Sequence, residues 1–347
     1  MTPEGKTVPH LRFPGFTGDV ETHPLGTVTK VIDCKHRTPE YVEKGVPIVS
    51  PGTIRWGEID LISPTKRVTE AEYVPLMDHC DPQIGDMVLS RNQSLGIASR
   101  ITSNEKFVLG QDTVLLQQKD GNGGIVFYRL QTSGTQDYIA KLSGGSTFSR
   151  INLKDIRLLP LSLPADRAEQ QKIADFLRAV DGRIGQLSQK KALLEDYKKG
   201  VMQQLFTQAL RFKDDHGNAF PDWKEKTLGD VGNIVGGGTP DSTNDIFWKG
   251  DVQWFTPTEI SSKYATRSKR TISTAGLKNC SASLLPIGTL LLTSRATIAE
   301  VSIATEECTT NQGFQSIIVN KGVNNEFIYY WVIQSRKEFL RKAQGST

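Results

Sequence analysis

Histidine, cysteine and glycine-rich runs are the places to look for chemistry in this sequence. Cys34 stands two residues from His36, and His79 adjoins Cys80, so thiolate and imidazole ligands for zinc are at hand. No CxxC or HxxxH spacing joins them, and Cys280 and Cys308 have no neighbouring histidine. Reduced, partly buried thiols are the reading that this spacing favours, and no metal site is expected. Gly236-Gly237-Gly238-Thr239-Pro240 follows an apolar pair, as a phosphate cradle would. It lacks the GxGxxG spacing and runs into turn residues, so a tight turn fits better. There is no GxxxxGKS or GxxxxGKT loop and no HExxH, and Ser94 lacks the first glycine of a nucleophile elbow. We expect no catalytic residues.

Contact chemistry is better represented. From Ser261 to Ala299 the charged residues are all basic: Lys263, Arg267, Lys269, Arg270, Lys278 and Arg295. Ser261, Ser262, Thr266, Ser268 and Thr271 lie among them, short donors that suit phosphate oxygens. Earlier cations are more scattered: Lys30, Lys35, Arg37, Arg55, Lys66, Arg67, Arg91 and Arg100. Arg91-Asn92-Gln93 has the chemistry of base reading, since arginine pairs bidentately with guanine and the amides pair with adenine. The candidate DNA contacts are Lys30, Lys35, Arg37, Arg55, Arg91, Asn92, Gln93, Arg100, Lys263, Arg267, Lys269, Arg270 and Arg295.

These residues sit in a chain that repeats itself. Ile84-Gly85-Asp86-Met87-Val88-Leu89 returns as Ile287-Gly288-Thr289-Leu290-Leu291-Leu292, 203 positions on. Leu25-Gly26-Thr27-Val28 returns as Leu228-Gly229-Asp230-Val231 at the same interval. Phe13-Pro14-Gly15-Phe16 is echoed by Phe220-Pro221-Asp222-Trp223, Ser90-Arg91 by Ser294-Arg295, and Gly145-Ser146-Thr147 by Gly345-Ser346-Thr347. A period this long means two copies of a whole domain. Each copy mixes strands with helices. Pro47–Val49, Asp86–Leu89 and Thr113–Gln117 read as strands in the first copy, and Val252–Phe255, Thr289–Thr293 and Gln315–Val319 in the second. Ile125–Leu142 and Asn325–Ala343 read as helices, giving an α+β class.

Between the copies runs a stretch without proline from Asp166 to about Leu210. Asp166-Arg167-Ala168-Glu169 forms a capping box at its start. Ile173, Leu177, Val180, Ile184, Leu187, Leu194, Val201 and Leu205 follow a 4-3-4-3 spacing, with Lys191 and Lys198 in the two vacant places. That is the seam of a coiled-coil helix of roughly 65–70 Å. Gly182 and Gly185 weaken it locally, and turn chemistry near Lys213–Asn218 ends it. A narrow seam needs a covering helix, and this chain offers no second one of that length, so a partner helix from another chain is expected.

Length and charge fit this picture. The 347 residues allow two or three domains, and 37% hydrophobic content supports a core. A net charge of +4 permits nucleic acid without demanding it. Apolar stretches such as Leu284–Leu292 are too short for a membrane span, and MTPEGKTVPH has no signal-peptide core. A cytoplasmic protein without membrane contact is expected.

Gly237-Gly238-Thr239-Pro240, Phe247–Pro257, Ser294–Ile298 and Thr310-Asn311-Gln312-Gly313-Phe314 resemble the pattern of a target recognition domain. Leu161-Ser162-Leu163-Pro164 with Glu169–Ala174 resembles the start of a spacer helix. Together they are similar to the specificity (S) subunit of type I restriction-modification enzymes over nearly the whole chain. The resemblance implies recognition domains at 1–160 and 214–347 and a spacer helix at 161–213. It implies a non-catalytic subunit that binds double-stranded DNA and associates with modification and restriction subunits. S-adenosylmethionine, ATP and Mg would belong to those partners, which methylate adenine and cleave DNA. The family continues past Gly345-Ser346-Thr347 into a second long helix, so self-association through the spacer helix is implied where this sequence ends. In the first copy, Cys34-Lys35-His36-Arg37-Thr38-Pro39 stands where the glycine-rich turn stands in the second. The residues alone also fit a coiled-coil dimer that binds DNA or protein without a methyltransferase.

Overall fold

The computed structural model describes residues 11–119, 123–143 and 150–343. The Gly-Ser-Thr echo at 145–147 and 345–347 lies outside them. The chain divides into two compact units, Met1–Ser188 and Gln189–Thr347.

Short apolar runs such as Val46–Val49 and Met87–Ser90, with several shorter or polar segments, form the strands of the first unit. They are β1 (Val20–Pro24), β2 (Thr29–Asp33), β3 (Val46–Val49), β4 (Gly57–Glu58) and β5 (Arg67–Val68). β6 (Met87–Ser90), β7 (Ala98–Arg100), β8 (Val108–Leu109), β9 (Thr113–Gln118) and β10 (Pro160–Pro164) follow. The second unit carries β11 (Gly232–Gly236), β12 (Trp248–Phe255), β13 (Tyr264–Ala265) and β14 (Arg270–Ile272). Its remaining strands are β15 (Leu290–Leu292), β16 (Val301–Ala304), β17 (Cys308–Thr310) and β18 (Gln315–Val319).

The five-stranded and three-stranded sheets of the two units share one topology, and the two-stranded β1-β10 sheet belongs to the first unit. A five-stranded sheet has the order β2-β9-β6-β7-β4 in the first and β11-β18-β15-β16-β13 in the second. A three-stranded sheet has the order β5-β3-β8 and β14-β12-β17. In each small sheet the middle strand pairs antiparallel with one neighbour and parallel with the other. The repetition read from the sequence is thus a repetition of architecture.

The middle strands lack a polar alternation because both their faces are covered. In β6, Met87 and Leu89 enter one core and Val88 enters another. In β15, Leu290 and Leu292 enter one core and Leu291 enters another. Helices cover one face. Each expected long helix near the end of a copy is two, Gly123–Leu130 with Ser133–Ser143, and Asn325–Gln334 with Arg336–Lys342. Both breaks fall at a hydroxyl residue, Thr132 and Ser335. At the first the side chain competes for a helix carbonyl, Thr132 Oγ1 donating to Arg129 O at 2.8 Å; at the second Ser335 is the C-cap of the preceding helix, its N–H donating to Trp331 O at 2.9 Å.

The long helix runs unbroken from Arg167 to Phe206, through Gly182 and Gly185, and stops where Gln208 takes φ 60°. Its cap differs from the expected box. Asp166 Oδ1 accepts from Ala168 N at 2.7 Å, but Glu169 turns to Arg12, which donates to both its oxygens at 2.6 and 2.5 Å. A guanidinium offers that buried carboxylate two charge-assisted bonds where the helix end offers one amide. β10, expected in the spacer, is an edge strand that pairs with β1. In the first unit, Ala174 packs against Gly124, and Tyr128 donates to Asp181 at 2.6 Å. In the second, Phe206 and Trp223 meet the ring of Phe327 at 5.4 and 5.5 Å. Of the seam, Ile173, Leu177, Val201 and Leu205 are half-buried at those ends, whereas Val180, Ile184, Leu187 and Leu194 are exposed. Among the described residues, no helix is long and apolar enough to cross a membrane.

Burial also governs the thiols. It pushes Cys80 up to about 11 and Cys308 up to about 12. The thiolate is the nucleophile, so at pH 8 both stay protonated in the folded chain. Alkylation followed by mass spectrometry at pH 8 should label these two slowly until denaturant is added; fast labelling of native Cys308 would contradict the packing.

Candidate nucleic-acid interface

The loop leaving β6 and the loop leaving β15 are built alike. Ser90 N donates to Ile97 O and Thr293 N to Glu300 O, each at 2.9 Å. Gly96 N donates to Ser90 O and Ala299 N to Thr293 O, each at 3.0 Å. Gln93 and Ala296 hold left-handed φ of 57° and 60°, and Gly96 and Ala299 hold 70° and 62°. Every pair is 203 positions apart, so Arg91 matches Ser294, and Asn92 matches Arg295. The Ser90-Arg91 and Ser294-Arg295 echo is therefore out of register by one residue. Backbone hydrogen bonds, not letter identity, set the correspondence.

This register separates two arginines that look equivalent. Arg91 is buried at 5% exposure. Its Nη1 donates to Asp33 Oδ1 at 2.8 Å and its Nε to Ile151 O at 3.1 Å. Buried and bound on both sides, it braces the loop and does not present its guanidinium to a base. The expectation that Arg91 reads DNA is corrected on that ground. Asn92 faces inward too, with its amide 3.4 Å from Asp112 Oδ2 and its Oδ1 accepting from Gln93 N. Gln93 is exposed at the apex of the first loop, and Arg295 is exposed in the second.

The other candidates divide by whether a carboxylate holds them. Lys35 pairs with Asp78 and donates to Pro75 O, and Arg37 holds Glu72 at 2.6 and 2.8 Å. Arg100 lies over the rings of Phe127 and Tyr128 at 4.6 and 5.6 Å. Lys263 bridges to Glu326 at 2.9 Å and to Tyr330 Oη at 3.3 Å, and that carboxylate holds its ammonium above the usual lysine range. Arg100 and Lys263 thus bolt sheet to helix, and their charge is committed inside the fold. Lys30, Arg55, Arg267, Lys269, Arg270 and Arg295 are exposed, with no ion pair among the described residues. With Lys278, also exposed, the basic stretch of the second unit presents five of its six cations outward.

A second loop sits beside the small sheet of each unit. Gln111 Nε2 approaches Thr38 Oγ1 at 3.4 Å, and Thr239 Oγ1 donates to Gln312 Oε1 at 2.6 Å. Thr38-Pro39 and Thr239-Pro240 are thereby the same position, 201 apart, and strand register leaves His36 and Arg37 as an insertion in the first unit. The glycines of the second loop are required by close approach. A Cβ on Gly237 would lie 2.0 Å from Asn311 O, and one on Gly238 2.4 Å from Ser281 Oγ. His36 Nε2 lies 3.0 Å from Asp33 Oδ2 and His79 Nε2 lies 2.8 Å from Asp33 O. Asp33, unremarked in the sequence, joins Arg91, His36 and His79; of these Arg91 and His79 lie 58 and 46 positions away, too far for spacing to reveal them.

Arg91→Ala should destabilise the fold by about 3 kcal/mol, since it strands the Asp33 carboxylate. Arg295→Ala should stay within ~0.5 kcal/mol. Urea melts of both variants check the contrast, and equal midpoints would refute it.

Residues 19–196 and 221–347 match the type I restriction modification DNA specificity domain. A segment of 141 residues is 39% identical to the type I restriction enzyme MjaIX specificity subunit of Methanocaldococcus jannaschii, covering 39% of this chain and 33% of that protein. The type I restriction enzyme HindI specificity subunit of Haemophilus influenzae is 23% identical over 290 residues, covering 64% of this chain and 63% of its own length. The match thus spans about a third of the first relative and under two thirds of the second. The fold is similar to the crystal structure of the type I restriction-modification S subunit from M. genitalium, with a TM-score of 0.61 at 14% identity over 97% of this chain and 82% of that one. With family matches over both units and most of its residues, the chain belongs to the type I restriction modification DNA specificity domain family.

Proposed function

We propose that this chain is the DNA-reading specificity subunit of a type I restriction-modification system. It binds a two-part duplex target, one part to each unit, and does no chemistry itself. Methyl transfer to adenine and cleavage belong to modification and restriction subunits, which bring S-adenosylmethionine, ATP and Mg. The observation that carries this reading is one frame with two surfaces. The same strands and loop backbone recur, while the inward Asn92 and exposed Gln93 of one unit correspond to the exposed Arg295 and Ala296 of the other. Matching backbones with unlike side chains suit two unlike half-targets.

Selection of bound duplexes from a random pool tests it. Two short blocks separated by a constant unread gap are expected. Arg295→Ala should relax preference in one block alone, by about 1–3 kcal/mol at one base pair. One contiguous block, or methyl transfer by the chain without partners, would defeat the reading.

The exposed part of the seam fits the same role. Leu187 is 50% exposed and Leu194 55%, and each covered side chain contributes roughly 1.5–3 kcal/mol. A second copy supplies the covering helix, antiparallel about a two-fold axis, with Lys191 and Lys198 helping to set register. Modification subunits dock beside that helix pair. Leu187→Glu combined with Leu194→Glu should turn a dimer into monomer or aggregate by light scattering. A monodisperse unmutated monomer with an intact helix by circular dichroism would refute the pairing.

A further inference from the structure

Strand register gives Lys66 and Arg270 the same place in the two units. Gly110 N donates to Val49 O and Asn311 N to Phe255 O, which makes Val49 equivalent to Phe255 and Ile48 to Trp254. Ile48 N in turn donates to Lys66 O, and Trp254 is paired with Arg270. Both cations are exposed and both lie over an aromatic ring, Lys66 Nζ 4.8 Å from the Tyr41 centroid and Arg270 Cζ 3.5 Å from that of Trp248. Neither has an ion pair among the described residues. A ring face steadies a cation through its quadrupole and leaves the charge available to a ligand, which a carboxylate does not.

Beside this cation the units differ. In the second, Trp254 fills the space under the loop and donates to Gly238 O at 2.9 Å. In the first, the smaller Ile48 stands there, and the matching carbonyl, of Lys35, accepts from Arg37 N at 2.9 Å. A cavity of about 250 Å³ remains, lined by Lys66, Arg37, Thr38, Tyr41, Ser50 and Gln111 among others. The Lys66 ammonium with hydroxyl and amide donors around one opening is the chemistry that holds a phosphate group, while the Arg37 guanidinium at its edge is held by Glu72.

We propose that positions 66 and 270 are one phosphate-gripping position built twice, and that the cavity beside Lys66 admits the phosphate itself. The source of that phosphate, the DNA backbone, rests on the function proposed above; free phosphate is the alternative source.

Anisotropy of labelled duplex across a KCl series, with the full chain, Lys66→Gln and Arg270→Gln, tests the grip. Each variant should reduce the slope of log K against log salt by about 0.9, and weaken selected and unrelated duplexes by the same factor. Lys66→Arg should keep the slope, and circular dichroism should show all variants folded. In a second arm without DNA, inorganic phosphate is titrated while NMR follows the Thr38 and Gln111 amides. Shifts that saturate in the unmutated chain and vanish in Lys66→Gln are expected. DNA binding with unchanged slopes in both variants overturns the grip. Saturating phosphate shifts in a chain that binds no duplex keep the cavity and reject DNA as its source. Slope loss without shifts confines the grip to backbone phosphates and rejects the free ion. Silence in both arms rejects the grip and the DNA-binding role together.

Discussion

Burial of the central strands on both faces is the condition from which the rest of each unit follows. Met87, Val88 and Leu89, and likewise Leu290, Leu291 and Leu292, have apolar side chains in a core on either side. A strand held this way cannot slip by one residue without moving its whole set of side chains to the wrong core. Register is therefore fixed, and with it the positions at which the loops leave and re-enter the sheet. Variation is confined to the side chains those loops carry, and there the two units diverge.

The strands β3, β6, β9, β12, β15 and β18 were legible in the sequence as short apolar runs between turns, whereas short or polar ones such as β1, β4, β5 and β13 were not. The long helix was legible from its seam, whose ends pack and whose middle lies exposed. Contacts between distant residues were not legible. Glu169 reads as a capping-box member until Arg12, 157 residues away, is seen to hold it. Arg91 and Arg295 read as twins because both follow a serine, and only hydrogen bonds to matched carbonyls set them one place apart. Lys66 escaped as a counterpart of Arg270 because the insertion at His36 and Arg37 and other length changes shift the interval between copies away from 203.

The cations illustrate how little a basic residue says by type alone. Lys35, Arg37, Arg91 and Lys263 have carboxylate partners and act as braces. Neighbours in sequence such as Arg267, Lys269 and Arg270 lack them and carry their charge at the surface. Local composition is the same in both groups. The distinction lies in whether an Asp or Glu from another element reaches the cation, as Glu326 reaches Lys263 across 63 positions.

The pairing of β1 with β10 places Val20 opposite Pro164. On a ribosome, the first of these strands must wait for some 140 further residues to be added before its partner exists. At roughly 5–20 residues per second that is a delay of about 7–30 seconds, long compared with the microseconds a hairpin needs. The first strand stays without its partner for that time, and the segment that pairs with it leads straight into the long helix. Closure of the first unit and emergence of the helix thus become a single event in synthesis.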